Sequence, residues 1–93
     1  MKKVTLNLYN YGVKVKIASF GNNGHDAVKC MKFMNDEEIK AHGKIPESIF
    51  YYLTYNARGG RKCIYVDFTN GNLYPNDAEY MRKIDSMAEY ITA

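Results

Sequence analysis

His25, Asp26, Cys30, His42 and Cys63 are the side chains of this chain best suited to ligate a metal. A zinc site draws its ligands from closely spaced Cys or His pairs, and none of these residues falls into such a pair. If residues 26–33 and 62–68 are strands, Cys30 and Cys63 point to different faces and share no site. No metal or cofactor is therefore expected. Nucleophilic catalysis is no better served. Ser19, Ser48 and Ser86 have no nucleophile-elbow motif around them. His25 and His42 can each act as a general base, but nothing in the sequence pairs either with a nucleophile. Asp36, Glu37 and Glu38 form a carboxylate run that reads most simply as charge at a helix N-terminus. Gly21-Asn22-Asn23-Gly24 lacks the Lys-Ser/Thr pair of a phosphate-binding loop. The chain is expected not to be an enzyme.

Binding chemistry is better represented. Lys14 and Lys16 alternate with Val13, Val15 and Ile17, and Tyr9 ends the preceding alternating run. Aromatic side chains mixed with cations suit a sheet face that stacks bases and tracks phosphates. They equally suit a protein interface, whose centre favours Tyr, Phe and Met. The segment Arg58-Gly59-Gly60-Arg61-Lys62 is the second basic feature. Its glycines would let backbone approach phosphates, and its three cations would neutralise them. A structural role competes: Gly59 suits a helix end, with cations complementing the helix dipole.

The elements that must position these residues follow from apolar periodicity. Val4, Leu6 and Leu8, then Val13, Val15 and Ile17, alternate strictly, so two strands form a hairpin with one buried face. Leu8 opposite Val13 or opposite Val15 gives the same faces. The Asn-Gly pair at 23–24 then favours a return strand over 26–33, with Val28 and Cys30 inward and Met31 and Phe33 beside the lysines. The competing reading is a helix capped by Asp26, with Ala27, Cys30, Met31 and Met34 on one face. Asn35-Asp36 can cap a short helical turn ending near Gly43. Pro46 and Gly59 suit the two ends of a helix with Ile49, Leu53 and either Phe50 or Tyr52 inward. Lys62–Phe68 reads as a strand with Ile64, Val66 and Phe68 inward and Cys63, Tyr65 and Asp67 outward. Thr69-Asn70-Gly71-Asn72 reads as a turn, with Leu73-Tyr74 pairing briefly behind it. The last helix opens on Asn76 with Glu79, carries the stripe Met81, Ile84, Met87, Ala88 and Ile91, and pairs Glu79 with Lys83.

The expected fold is a single α+β domain over residues 1–93. It is a four-stranded, mainly antiparallel sheet in the order β-β-β-α-β-α, with two helices packed on one face. Val4, Leu6, Val15, Ile17, Ile64, Val66, Ile84 and Ile91 are the expected core.

Charge and composition narrow the function classes. Residues 1–35 hold six lysines against Asp26, a net of +5, within a chain of net charge +3. The molecule is polarised rather than uniformly basic. Nine tyrosines and no tryptophan are too many phenols to bury fully, so some serve a surface. No apolar run approaches the roughly 20 residues that span a bilayer. Thr5, Asn7 and Asn10 interrupt any apolar segment after Met1-Lys2-Lys3, so no secretion signal is read. Two isolated cysteines then fit reduced thiols and a cytoplasmic location, with no membrane partner.

These observations lead to a small non-catalytic protein-interaction module. Its expected partner-binding residues are Tyr9, Lys14, Lys16, Met31, Phe33 and Tyr65. Compact inhibitors carried by phages and plasmids, anti-CRISPR proteins among them, share this size and absence of motifs. That is an analogy of style and not a match of sequence. It makes an inhibitor of a host nucleic-acid-processing or defence complex the specific expectation. The alternative is a nucleic-acid-binding protein using Lys14, Lys16, Lys29, Arg58, Arg61 and Lys62. A small enzyme of unknown reaction is the third class, and a homodimer is open.

Overall fold

The computed structural model describes residues 3–43, 48–66 and 77–92. Its elements are β1 (Val4–Asn10), β2 (Val13–Gly21), α1 (Gly24–His42), β3 (Ile49–Ala57), β4 (Gly60–Ile64) and α2 (Ala78–Thr92). The strands form one antiparallel sheet in the order β2-β1-β3-β4. The α+β class, the four-stranded antiparallel sheet and the two helices are as expected. The element order is corrected to β-β-α-β-β-α. Residues 26–33 are helical, and 49–57 are a strand.

The β1–β2 hairpin closes on Tyr11 and Gly12, both at positive φ (47° and 87°), as a two-residue hairpin loop of right-handed twist requires. Asn10 pairs with Val13 and Leu8 with Val15, the longer of the two expected registers. Register shifts between Val4 and Thr5 and between Leu6 and Asn7 then break the simple alternation of β2.

The Asn-Gly signal has a different cause from the one expected. Asn23 is the N-cap of α1: its Oδ1 accepts the Asp26 amide (3.3 Å), and its Nδ2 donates to Asp26 Oδ2 (2.7 Å). Gly24 lies where a side chain has no room, because a Cβ there would overlap Ile91 Cγ2 of α2. Asn35 and Asp36 are mid-helix and cap nothing. Gly43 ends the helix in the left-handed region (φ 78°), its amide donating to the Ile39 carbonyl (2.7 Å).

In β3, Ile49, Phe50, Tyr51, Tyr52, Thr54 and Tyr55 are β-branched or aromatic, which outweighs the helix punctuation around them. Gly59 ends no helix. It turns the β3–β4 hairpin with φ 94°, and Gly60 follows at 128°. Pro46, Asp67, Phe68, the Thr69–Asn72 turn, Leu73-Tyr74 and Asn76 lie outside the described residues. The described cap of α2 is Asp77, whose Oδ1 accepts the amides of Glu79 (2.9 Å) and Tyr80 (3.4 Å).

Both helices cover the face of Val4, Leu6, Leu53 and Tyr55. Ala27, Val28, Met31, Ile39, Val66, Tyr80, Ile84, Met87 and Ile91 complete that core. Tyr80 takes the place expected for Met81, which is exposed. Val15 and Ile17 leave the expected core. They are 40% and 43% exposed, and Val13 is 60% exposed, because α1 lies chiefly over β1 and β3 and leaves the outer strand uncovered. Between the helices, Lys32 Nζ meets Asp36 Oδ2 at 2.6 Å and lies 5.3 Å from the Tyr80 ring centroid. Burial first, then the Asp36 charge and a hydrogen bond to Asp36, push the Tyr80 phenol above the ordinary tyrosine range.

Candidate binding face

The face of the sheet turned away from the helices is ordered by strand register. Lys14, Tyr9 and Phe50 form one row across β2, β1 and β3. Lys16, Asn7 and Tyr52 form the next. Ser19, Thr5, Thr54 and Cys63 form the third, reaching β4, and Asn56 pairs with Arg61 beyond it. Tyr65 follows β4 directly. Aromatic side chains therefore gather at one end of the face and small polar ones at the other.

The aromatic end is itself a packed cluster. Tyr9 and Phe50 stack with centroids 5.0 Å apart and planes 20° apart. Phe50 also meets Tyr52 at 5.9 Å and Tyr65 at 5.8 Å. Tyr52 is buried among these neighbours, whereas Tyr65 is 55% exposed. Asn7 Nδ2 donates to Thr54 Oγ1 (3.0 Å) and to the Thr5 carbonyl (3.1 Å), fixing the polar middle of the face. A groove of about 570 Å³ runs over this surface, lined by these residues with Lys14, Arg61, Lys62 and Cys63.

Electrostatics set the face apart from the rest of the molecule. The four strands hold Lys14, Lys16, Arg61 and Lys62 and not one acid. The acids among the described residues are Asp77 and those of α1 and α2. Lys14, Lys16 and Arg61 are exposed. Burial pushes the Cys63 thiol above its ordinary value, with Lys14 pulling it partly back. Burial, then Cys63, raises the Tyr52 phenol against an opposing pull from Arg61. Both groups are thus held neutral at physiological pH, and neither is activated as a nucleophile.

Of the expected partner-binding residues, the structure brings Tyr9, Lys14 and Tyr65 together around the groove, with Lys16 in the adjoining row. Met31 and Phe33 are corrected. Met31 is fully buried in the core, and Phe33 is exposed on α1, because the segment is a helix under the opposite side of the sheet. Lys29 lies on that helix as well, away from the face. Arg58 sits in the hairpin turn, while Arg61 and Lys62 line the groove. Phe50 and Tyr52 supply the apolar centre assigned to Met31 and Phe33. The strand propensity of residues 49–57 was the signal that could have found them. Among the described residues, no three His, Cys, Asp or Glu side chains gather as a metal site. Cys30 and Cys63 are free thiols on α1 and β4. No described helix is long and apolar enough to cross a membrane. Searches against protein-family models, curated proteins and solved structures find no match to this chain.

Proposed function

We propose that this protein is a small non-catalytic interaction module that docks an acidic protein partner through the open sheet face. The observation that carries this reading is an aromatic cluster ringed by Lys14, Arg61 and Lys62, with no acid lining the groove among the described residues. Such a face is complementary to a negative surface, and a stable interface needs only about 800 Å² per partner. A protein partner is favoured over nucleic acid by the state of the rings. Tyr9 and Phe50 stack on each other and Tyr52 is buried, so few ring faces are free to take bases. An inhibitor or adaptor acts in this way, by occupying a surface of its target, and the reduced thiols fit a cytoplasmic setting.

Affinity capture from an extract of the source organism tests the reading, using the wild type and Tyr65→Ala side by side. The expected result is a captured protein that survives nuclease treatment and is lost with Tyr65→Ala. Capture of nucleic acid, with affinity falling steeply as salt rises, would overturn it in favour of phosphate recognition by Lys14, Lys16, Arg61 and Lys62.

A further inference from the structure

The outer strand β2 is nine residues long and, among the described residues, pairs only with β1 and leaves its other edge free. The two-residue loop at Tyr11 and Gly12 fixes which backbone groups lie on that edge. In such a hairpin the closing pair, here Asn10 and Val13, exchanges hydrogen bonds, and bonding pairs alternate from there. Val13 and Val15 therefore point their N–H and C=O groups at β1. Lys14 and Lys16 point theirs outward. The same parity, carried across β1 into β3, turns the Tyr51 backbone toward the β4 side, where Asn35 bonds both its groups.

An open edge of this kind is a template for another strand. Its side chains state which strand. On the helix side of the sheet Val13 and Val15, with Ile17 beside them, are left exposed. On the other side stand Lys14 and Lys16, with no acid in any described strand to pair them. A second copy of this chain is a poor occupant: antiparallel self-pairing centred on Val15 sets Lys14 opposite Lys16, and like charges directly opposite are destabilising. We propose that the β2 edge takes an extended segment of the acidic protein partner as a fifth strand. Acids of that segment lie opposite Lys14 and Lys16, and its alternate apolar residues extend the Val13–Val15–Ile17 strip. This inference rests on the docking reading above and names how the partner is held. Main-chain bonds at Lys14 and Lys16 supply the grip, and the alternation of charge and apolar surface supplies the selectivity.

Amide hydrogen exchange on the full-length protein tests it. The probe is a peptide of about eight residues alternating Glu and Val, long enough to match an ordinary strand. The controls are the same peptide N-methylated at alternate residues and a peptide alternating Lys and Val. The Glu–Val peptide is expected to slow exchange at Lys14 and Lys16 by about tenfold or more, while neither control does. Lys16→Thr removes the charge and keeps the amide, so protection at Lys14 is expected to persist, weakened. Lys16→Pro removes an outward-facing donor that an edge strand can lose without unfolding, so protection is expected to vanish. Unchanged exchange at millimolar peptide overturns the inference. So does equal protection by the N-methylated peptide, or protection that rises with protein concentration alone, the mark of self-pairing. Peptide-induced shifts at Phe50 and Tyr65 without edge protection would retain the docking face and reject the edge. Edge protection joined to full-strength capture of the partner by the Tyr65→Ala protein would do the reverse.

Discussion

The Asn35 side chain takes the place of a strand beside Tyr51. Its Oδ1 accepts the Tyr51 amide at 3.1 Å, and its Nδ2 donates to the Tyr51 carbonyl at 3.2 Å. The last β3–β4 pair is Leu53 with Ile64, so Tyr51 lies two residues past the end of the ladder. In that register Val66 would face Tyr51, but the chain has left the sheet and Val66 packs in the core. A buried carboxamide from α1 satisfies both orphaned groups and ties the helix to the sheet.

Removing that link should be costly. Asn35→Ala is expected to destabilise the fold by about 1–3 kcal/mol, the range for leaving buried polar groups unsatisfied. Chemical denaturation measures the loss. Faster exchange of the Tyr51 amide, beyond what the global change explains, identifies the cause.

Gly24 and Ile91 should show strong coupling. Gly24→Ala drives a methyl into Ile91 Cγ2, with an expected cost of about 1–3 kcal/mol for overpacking. In an Ile91→Ala background the same substitution should cost little, because the obstructing group is gone. A double-mutant cycle that proves additive would show that the helices separate freely at this point.

The revised core makes a contrast between two isoleucines. Ile84→Ala is expected to cost about 2–5 kcal/mol, since Ile84 is buried in α2 against the core. Ile17→Thr is expected to change stability by less than about 0.5 kcal/mol, as for other exposed sites. Melting temperatures of the two variants decide between this assignment and one that buries the whole β2 alternation.

Alkaline pH should weaken the fold through Tyr55. Burial first, then its hydrogen bond with Tyr90 and the Tyr90 charge, push this phenol up to about 12. In the unfolded chain it ionises near pH 10, as a free tyrosine does, at about 10. The stabilisation is therefore complete below about pH 10 and is lost as pH rises toward about 12. Denaturation midpoints measured across that window should fall, and Tyr55→Phe should make the fall shallower.

Tyr65 should separate binding from folding. With more than half its surface exposed, Tyr65→Ala is expected to fold normally while losing partner binding. Lys14→Ala with Lys16→Ala should weaken binding to an acidic protein modestly and slow association. If the partner is nucleic acid and both lysines touch phosphate, the double change should flatten the salt slope by about two units.

Local sequence was enough to determine the β1–β2 hairpin, the faces of β1 and the Glu79–Lys83 pair of α2. In each case the residues that decide the structure lie within a few positions of one another. The alternation Val4-Leu6-Leu8 needs no distant partner, whereas the loop sequence leaves two registers open, and the Tyr11 amide donates to the distant Ser48 carbonyl. Tertiary structure decided the rest. Asn23-Gly24 suits a hairpin turn as well as a helix start. What makes it a helix start is the capping bond to Asp26 joined to the close passage of Ile91, 67 positions further along the chain. Once residues 24–42 are helical, 49–57 must supply the third strand, and Phe50 and Tyr52 replace Met31 and Phe33 at the centre of the open face. Alternation likewise shows which way Val13 and Val15 point. Whether they are buried depends on where a helix comes to rest, and α1 rests over β1 and β3, leaving the β2 edge bare. Periodicity fixes direction along one element, whereas burial is a relation between elements and is settled only when they pack.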